Sequence, residues 1–541
     1  MLPHQTTQPI EVTMQTPAIF LPSPQQAAFI HEARTGTSSI VLIAVAGAGK
    51  TTTILEAADG MRGNTIILAY NKKIADEIKA KLKKRGVDWK KAEAATTHSI
   101  GLRNYKRAVP GVLVRGDKVG NICAAMCESG EIPATLVMHT SVICQLVSLA
   151  KANAVGVEGQ GSIEDHSIWE DIVDHFDLFD EEPLQKKAED LIETAITLLK
   201  KSNAERQVID FDDMIYLPLY YQITFFQYDN VVMDEAQDAN VCRKLLADAL
   251  LKENGRFFGV GDPRQAIYGF TGADNESMVN LKNWFDCKEM PLTVTYRCPK
   301  NIVKFAKTWV DHIQAHESAP QGDVSMMTFE DFMVKRELHT GDSAVLCRNT
   351  RPLVTAAFAL IRQNIPCRIE GRNIGESLIK LATRWKSITT IPELEDKLEE
   401  WLDLETQRWI AKKKMARVQE AEDKVETVKV VMEACLERKQ HLITDVVAYI
   451  NAIFADNVTG ILTLSTIHKS KGREWKTVLW LDRFTTCPSK YASQPWEREQ
   501  EDNLCYVAAT RSMNTLVDLL PPVPKQKAVN DNQQQSKEKV A

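Results

Sequence analysis

The eleven cysteines of this 541-residue chain include no C-x-x-C pair, and their number is odd. That argues against a disulfide framework or a zinc cluster and for reduced thiols, with Cys123 and Cys127 as packing residues. No apolar run approaches the length of a membrane span, and Met1 to Phe20 has neither the basic start nor the apolar core of a secretory signal. The expectation is a soluble chain inside the cell, without a membrane partner. No internal repeat or low-complexity block is evident. Excess positive charge is also lacking: the formal net charge is −6, which counts against a protein that coats DNA by bulk attraction. Positive charge could still be confined to a groove, and local clusters stand at Lys79 to Arg85, Arg103 to Arg107 and Lys412 to Arg417. Each cluster taken alone reads at least as well as a solvated helix face.

A hydrophobic fraction of 44% and a charged fraction of 26% are ordinary for a globular protein, and the length calls for several domains. Residues 1–20 and 521–541 are polar and are expected to be loose tails. Between them, β-branched runs alternate with helical stretches: Ile40 to Val45, Thr65 to Ala69, Val231 to Met233, Arg256 to Val260, Ala344 to Cys347, Ile461 to Ser465 and Val478 to Leu481. The alternation predicts an α/β fold of parallel sheets covered by helices, with ligands at the carboxyl ends of strands. Residues 101–205 and 375–455 interrupt it and read as mainly helical insertions. In the second, Val418, Ala421, Val425, Val428, Met432 and Cys435 recur at three- and four-residue spacing, an apolar seam that predicts a helical hairpin packed within the chain.

The strand from Ile40 is followed by Val45-Ala46-Gly47-Ala48-Gly49-Lys50-Thr51-Thr52 and then by a helical pattern. Small residues let backbone N–H groups approach phosphates, the helix N-terminus adds positive potential, Lys50 reaches the outer phosphates and the Thr51 hydroxyl can ligate Mg²⁺. The strict pattern wants Gly at 44, where this chain has Ala. A chance Gly-rich turn is the bland alternative, and the flanking strand and helix weigh against it. A second apolar strand delivers Asp234 and Glu235 together. Asp234 suits a Mg²⁺ shell and Glu235 an attacking water, although acidic strand ends also occur in plain turns.

Further segments follow in an order that resembles the superfamily 1 DNA helicases of the UvrD/Rep type. They are Gln25 in Ser23-Pro24-Gln25-Gln26, Tyr70-Asn71-Lys72-Lys73, Thr96-Thr97-His98-Ser99, Asp210 to Met214, Val260 to Phe270, Thr295-Tyr296-Arg297-Cys298, Leu464 to Trp475 and Leu504 to Arg511. The match is tighter to the F-box-helicase-like and small phage or bacterial branch at Asn71 to Ala75 and Gly261 to Pro263. The resemblance covers roughly residues 21 to 520 and implies two RecA-like P-loop domains, 21–290 and 291–520, each carrying one helical insertion. It implies ATP and Mg²⁺ as cofactors, with Gln25 and Tyr296 at the adenine and Ala46 to Thr52 and Glu474 on the nucleotide. Gln265 and Arg297 would meet the γ-phosphate, and Arg511 would act as an arginine finger. Tyr70, Thr97, His98, Tyr268, Phe270, Thr466 and His468 would touch nucleic acid, the aromatic rings by stacking on bases of any identity. Val45, Thr271, Thr295 and Arg473 depart from the family pattern, which commonly has Gly, Arg, Asn and Leu at those places.

What the resemblance implies is an ATP-dependent DNA helicase or translocase moving 3′ to 5′ on single-stranded DNA or at DNA junctions. It would serve repair, replication or recombination with the proteins of those processes, as a monomer or weak oligomer, in the cytoplasm or, in a eukaryote, the nucleus. Two rivals remain open on the sequence: a translocase that strips proteins from DNA with little unwinding, and a nucleotide-switched interaction module. RNA as the track is also open, since nothing in the sequence reads a 2′-hydroxyl.

Overall fold

The computed structural model describes residues 21–522 apart from 177, 180–183, 185–186, 268–275, 364, 412–414, 455–460 and 493. Two parallel sheets organise it. The first half contributes β1 (Ile40–Ala44), β2 (Thr65–Ala69), β3 (Ala92–Thr96), β4 (Leu113–Val114), β5 (Val208–Ile209), β6 (Tyr228–Asp234), β7 (Leu251–Gly261) and β8 (Lys288–Leu292). β4 and β5 pair with each other, and the remaining six hydrogen-bond in the order β3-β2-β6-β7-β1-β8, parallel throughout. β1 and β2 are unbroken apolar runs because helices cover both sheet faces, leaving no solvent side to alternate with. Successive residues still point to opposite faces: Ile40 and Leu42 join the core that holds Phe29, Ile54 and Leu55, whereas Val41 joins the core beneath the first helical insertion.

The second half contributes β9 (Val294–Thr295), β10 (Gln314–Ala315), β11 (Asp323–Met327), β12 (Ser343–Cys347), β13 (Cys367–Glu370), β14 (Leu462–Thr466), β15 (Trp475–Leu481) and β16 (Ser512–Leu519). β9 pairs with β10, and the rest form a second parallel sheet in the order β11-β16-β15-β12-β14-β13. Every strand expected from the sequence is present; β1, β2, β12 and β14 start within a residue of expectation, whereas β6, β7 and β15 start three to five residues earlier. Sequence patterning gives no expectation of β3, β8, β11, β13 and β16, nor of the two-residue strands β4, β5, β9 and β10.

Helices Thr97–Ala108, Lys118–Glu128, Thr140–Ala152, His166–His175 and Ala188–Ala204 fill the chain between β3 and β5. A buried charge cluster ties them to the segment ahead of β6. Lys118 Nζ lies 2.7 Å from Asp213 Oδ2, and Lys151 Nζ lies 2.6 Å from Asp210 Oδ2 and 2.7 Å from Asp213 Oδ1. Helices Ile391–Ala411 and Met415–Glu437 pack against each other in the second half. All six residues of the apolar seam are buried, and Val425, Val428, Met432 and Cys435 share a core with Leu394, Leu398, Leu353 and Leu360. The chain itself therefore covers the seam. No helix among the described residues is long and apolar enough to cross a membrane.

Removing one partner of a buried ion pair strands the other charge, at a cost of about 3–5 kcal/mol. Asp213→Ala is therefore expected to lower the unfolding free energy of the first half by about that amount, measured by urea denaturation. An unchanged midpoint would show that the cluster does not hold the insertion.

Candidate nucleotide and nucleic-acid sites

Sheet order creates the nucleotide site. β6, β7 and β1 are neighbours and parallel, so the loops leaving their carboxyl ends lie side by side. These loops carry Asp234-Glu235, Asp262 to Gln265 and Val45 to Gly49. Gly49 caps the helix Lys50–Gly60 without a side-chain hydrogen bond, which leaves first-turn amides facing the loop as an anion site. Thr51 and Thr52 are half-buried in that first turn. Lys50 Nζ reaches Glu235 Oε1 at 3.2 Å. Burial works against the Lys50 charge, but Glu235, Asp262 and Asp234 outweigh it and hold the ammonium above its ordinary value. Burial also opposes the Glu235 charge, and here Lys50 and Lys471 prevail and hold it well below the usual carboxylate range. Asp234 goes the other way, raised by burial and by the neighbouring Glu235 charge. Glu235 sits at φ 52° and ψ 44°, left-handed for a non-glycine residue, the kind of local strain that gathers at functional sites.

The second half completes this edge. Arg511 and Glu474 immediately precede Ser512 and Trp475, which are paired at the amino ends of β16 and β15. Arg511 is fully buried, its Nη2 donating to Gln265 Oε1 at 3.1 Å while Gln265 Nε2 donates to Asp262 Oδ2 at 2.7 Å. Burial and the nearby Arg297 charge lower Arg511 to about 10, which still leaves it cationic at neutral pH. Arg297 Nε donates to Glu474 Oε2 at 2.6 Å, so these two residues are paired with each other. Tyr296 donates its amide to the Gly47 carbonyl at 2.9 Å. Gly47 has φ 72°, and a Cβ there would lie 2.5 Å from the Arg297 Cβ, so glycine is required both for the turn and for the approach of the second half. Tyr296 keeps an exposed ring, and Gln25 is held by Thr293 through Nε2–Oγ1 and amide–Oε1 bonds of 3.0 and 2.8 Å.

Four residues here were not singled out from the sequence. Buried Gln26 donates to the Ala48 carbonyl at 3.2 Å. The Tyr506 hydroxyl accepts the Ala46 amide at 2.9 Å, and Asn503 Nδ2 donates to the Ala266 carbonyl at 2.9 Å. Lys471 Nζ reaches both oxygens of Asp238, at 2.9 and 2.6 Å. All four lie inside or beside segments already matched to motifs, and the partners of Tyr506, Asn503 and Lys471 are more than 200 residues away. The departures from the family pattern also have local reasons. Val45 extends the β1 edge by donating its amide to the Leu292 carbonyl at 2.9 Å, and it needs no positive φ. Thr295 Oγ1 accepts the Arg297 and Cys298 amides at 3.3 and 3.4 Å. Arg473 pairs with Glu370.

No group of three or more metal-ligating side chains occurs among the described residues. Mg²⁺ is usually held by one or two carboxylates together with substrate phosphates and water. The donor set fits that habit: Asp234 is buried beside the phosphate loop with Oδ1 on the Glu235 amide at 3.0 Å, and the Thr51 hydroxyl stands in the helix's first turn.

The residues expected at nucleic acid divide between two places. Tyr70 and Thr97 line a small cleft with Asp234, Glu235 and Arg243. His98 is nearby, its pKa lowered to about 4 by burial and by Arg243. Thr466 and His468 instead line a cavity of about 790 Å³ at the carboxyl edge of the second sheet, together with Arg348, Arg417, Lys424 and Trp496. Burial, Arg348 and Lys471 lower His468 to about 3. Tyr268 and Phe270, and with them Thr271, lie outside the described residues.

Comparison with known proteins agrees with this geometry. The UvrD/REP helicase N-terminal domain matches residues 23–286 and the UvrD-like helicase C-terminal domain matches residues 385–517. An ATP-dependent DNA helicase PcrA of Staphylococcus epidermidis is 30% identical over 157 residues, covering 26% of this chain and 21% of that protein. A PcrA of Leuconostoc citreum is 26% identical over 198 residues, covering 32% and 25%. A probable DNA helicase II homolog of Mycoplasma pneumoniae is 25% identical over 300 residues, covering 51% and 40%. The matched stretches thus span less than half the length of each of these relatives. With both family domains matched in order, and with the phosphate loop, Glu235, Gln265, Arg297 and Arg511 gathered where the two halves meet, the chain belongs to the UvrD/Rep-type helicases.

Proposed function

We propose that this protein is an ATP-driven DNA helicase or translocase that moves along single-stranded DNA in the 3′ to 5′ direction. The observation that carries the reading is the shared polar network of the two halves: Lys50 on Glu235 and Arg511 on Gln265, joined through Asp262. In this reading Lys50 and the amides of Ala46 to Thr52 bind the phosphates, and Gln25 and Tyr296 take the adenine. Glu235 orients and deprotonates the attacking water, while Gln265, Arg297 and Arg511 meet the charge of the transferred phosphoryl group. Thr51 and Asp234 would hold Mg²⁺, which supplies charge neutralisation at the phosphates. Because the cations come from the second half, hydrolysis requires the two halves to be closed. The names of the matched relatives, ATP-dependent DNA helicase and DNA helicase II homolog, support DNA as the track.

Strand contact is assigned to Tyr70, Thr97, His98, Tyr268 and Phe270 in the first half and to Thr466 and His468 in the second. Burial keeps both histidines neutral well below neutral pH, so they would act by stacking and hydrogen bonding. A histidine whose folded pKa is depressed gains no proton between pH 8 and 6. Affinity for a fluorescent single-stranded oligonucleotide at fixed ionic strength is therefore expected to stay level over that range, and a steep gain on acidification would refute the neutral-imidazole assignment.

ATP turnover is expected to rise with single-stranded DNA, more than with duplex DNA or RNA. Unwinding is expected on duplexes with a 3′ overhang and not on those with a 5′ overhang, scored by strand displacement on a gel. Lys50→Ala should abolish turnover. Arg511→Ala should depress kcat by about 10³-fold or more while leaving ATP binding nearly intact, in line with arginine fingers elsewhere. Normal turnover by the Arg511 variant would remove the shared-site reading.

A further inference from the structure

A short segment of the second half runs between the cavity and the nucleotide site. β14 ends at Thr466 on the carboxyl edge of its sheet, and β15 begins at Trp475 on the amino edge. The eight residues between them cross from one edge to the other. The near end carries Thr466 and His468 in the cavity wall, and the far end carries Glu474 on Arg297. Lys471 lies in the middle of this crossing; it is not among the residues that line the cavity, and its charge helps hold Glu235 ionised. Its ammonium spans to the first half, 2.9 and 2.6 Å from the two oxygens of Asp238 and 2.6 Å from the Gln265 carbonyl. Both side chains are almost wholly buried, at 7% and 2% exposure, so the pair is shielded from water and salt.

The two anchor points matter. Asp238 ends the short helical turn that begins directly after Glu235, and Gln265 is the residue whose side chain holds Arg511. One cation therefore holds a side chain on the turn that follows Glu235 and the backbone carbonyl of Gln265, from a segment whose other end lines the cavity. We propose that Lys471 is a positioning residue that transmits occupancy of the cavity by a nucleic-acid strand to Glu235 and Gln265. The inference rests on the helicase reading and deepens it, because it names the contact through which strand binding alters hydrolysis.

The test compares kcat and KM for ATP, with and without a saturating single-stranded oligonucleotide, for the wild-type protein, Lys471→Met, Lys471→Arg, Asp238→Asn and the Lys471→Met/Asp238→Asn double variant. The stimulation ratio of Lys471→Met should fall by about tenfold or more, a modest share of what truncating a buried charge pair can cost. KM for ATP should change little, and Lys471→Arg should recover much of the ratio. The double variant leaves no charge buried alone, so it controls for a folding defect. It should remain as unstimulated as either single variant, the non-additivity expected of residues acting through one contact. Wild-type stimulation in Lys471→Met, or its return in the double variant, would overturn the assignment. A wild-type protein that DNA does not stimulate would instead overturn the helicase reading itself.

Discussion

A buried excess of one charge is costly unless another element neutralises it, and this constraint sits at the centre of the structure. The carboxyl edge of the first sheet gathers Asp234, Glu235 and Asp262 around the Lys50 ammonium and adds the buried Asp238. The second half answers with Arg297, Lys471 and Arg511 against Glu474. The two halves thus meet as an acidic edge and a basic edge. Neither half is electrostatically complete alone, which is why the site is shared. The pKa directions follow from the same arrangement: Glu235 is held ionised by cations from both halves, while Asp234, with Glu235 beside it, is pushed up.

Small backbone requirements let the edges come this close. Gly47 must be glycine because the Arg297 side chain would overlap any Cβ there. The Tyr506 hydroxyl and the Asn503 amide then satisfy backbone groups of the first half that the interface would otherwise bury unpaired. These contacts give the interface a definite register, since an N–H donates, and a carbonyl accepts, only within a few tenths of an ångström of the preferred distance.

Much of this was legible in the sequence, for identifiable reasons. β1, β2, β6 and β12 are β-branched runs with buried faces, and the turn chemistry that follows β1 admits few readings. The seam from Val418 to Cys435 declared its own burial through its spacing. β3 was missed because Ala-Glu-Ala-Ala-Thr has no strand signature and is held by pairing with β2. β8 was missed because Lys-Glu-Met-Pro-Leu reads as a turn, yet it is an edge strand where a proline is tolerated. Lys471, Asn503 and Tyr506 were missed for a different reason. Their meaning lies in partners 233, 237 and 460 residues away, and no local pattern records such a distance. The resemblance supplied roles for Thr466, His468, Glu474 and Arg511, but it could not show that the first two face a cavity and the last two face the opposite edge of the same sheet.

That opposition shapes any account of coupling. A strand in the cavity and a triphosphate at the interface would lie on different edges of the second sheet, so neither could act on the other by direct contact. Besides the crossing that carries Lys471, the helix Pro495–Ala509 joins the two edges. Trp496 at its start lines the cavity, Asn503 along its length holds the first half, and Arg511 follows its end by two residues. A helix of 15 residues is about 22 Å long and bends little over that distance. The helix therefore connects the cavity wall at Trp496 to Arg511 through one continuous hydrogen-bonded element. An arginine that must sit within hydrogen-bonding distance of its target is sensitive to shifts of an ångström, so the placement of this helix bears on the Arg511–Gln265 contact.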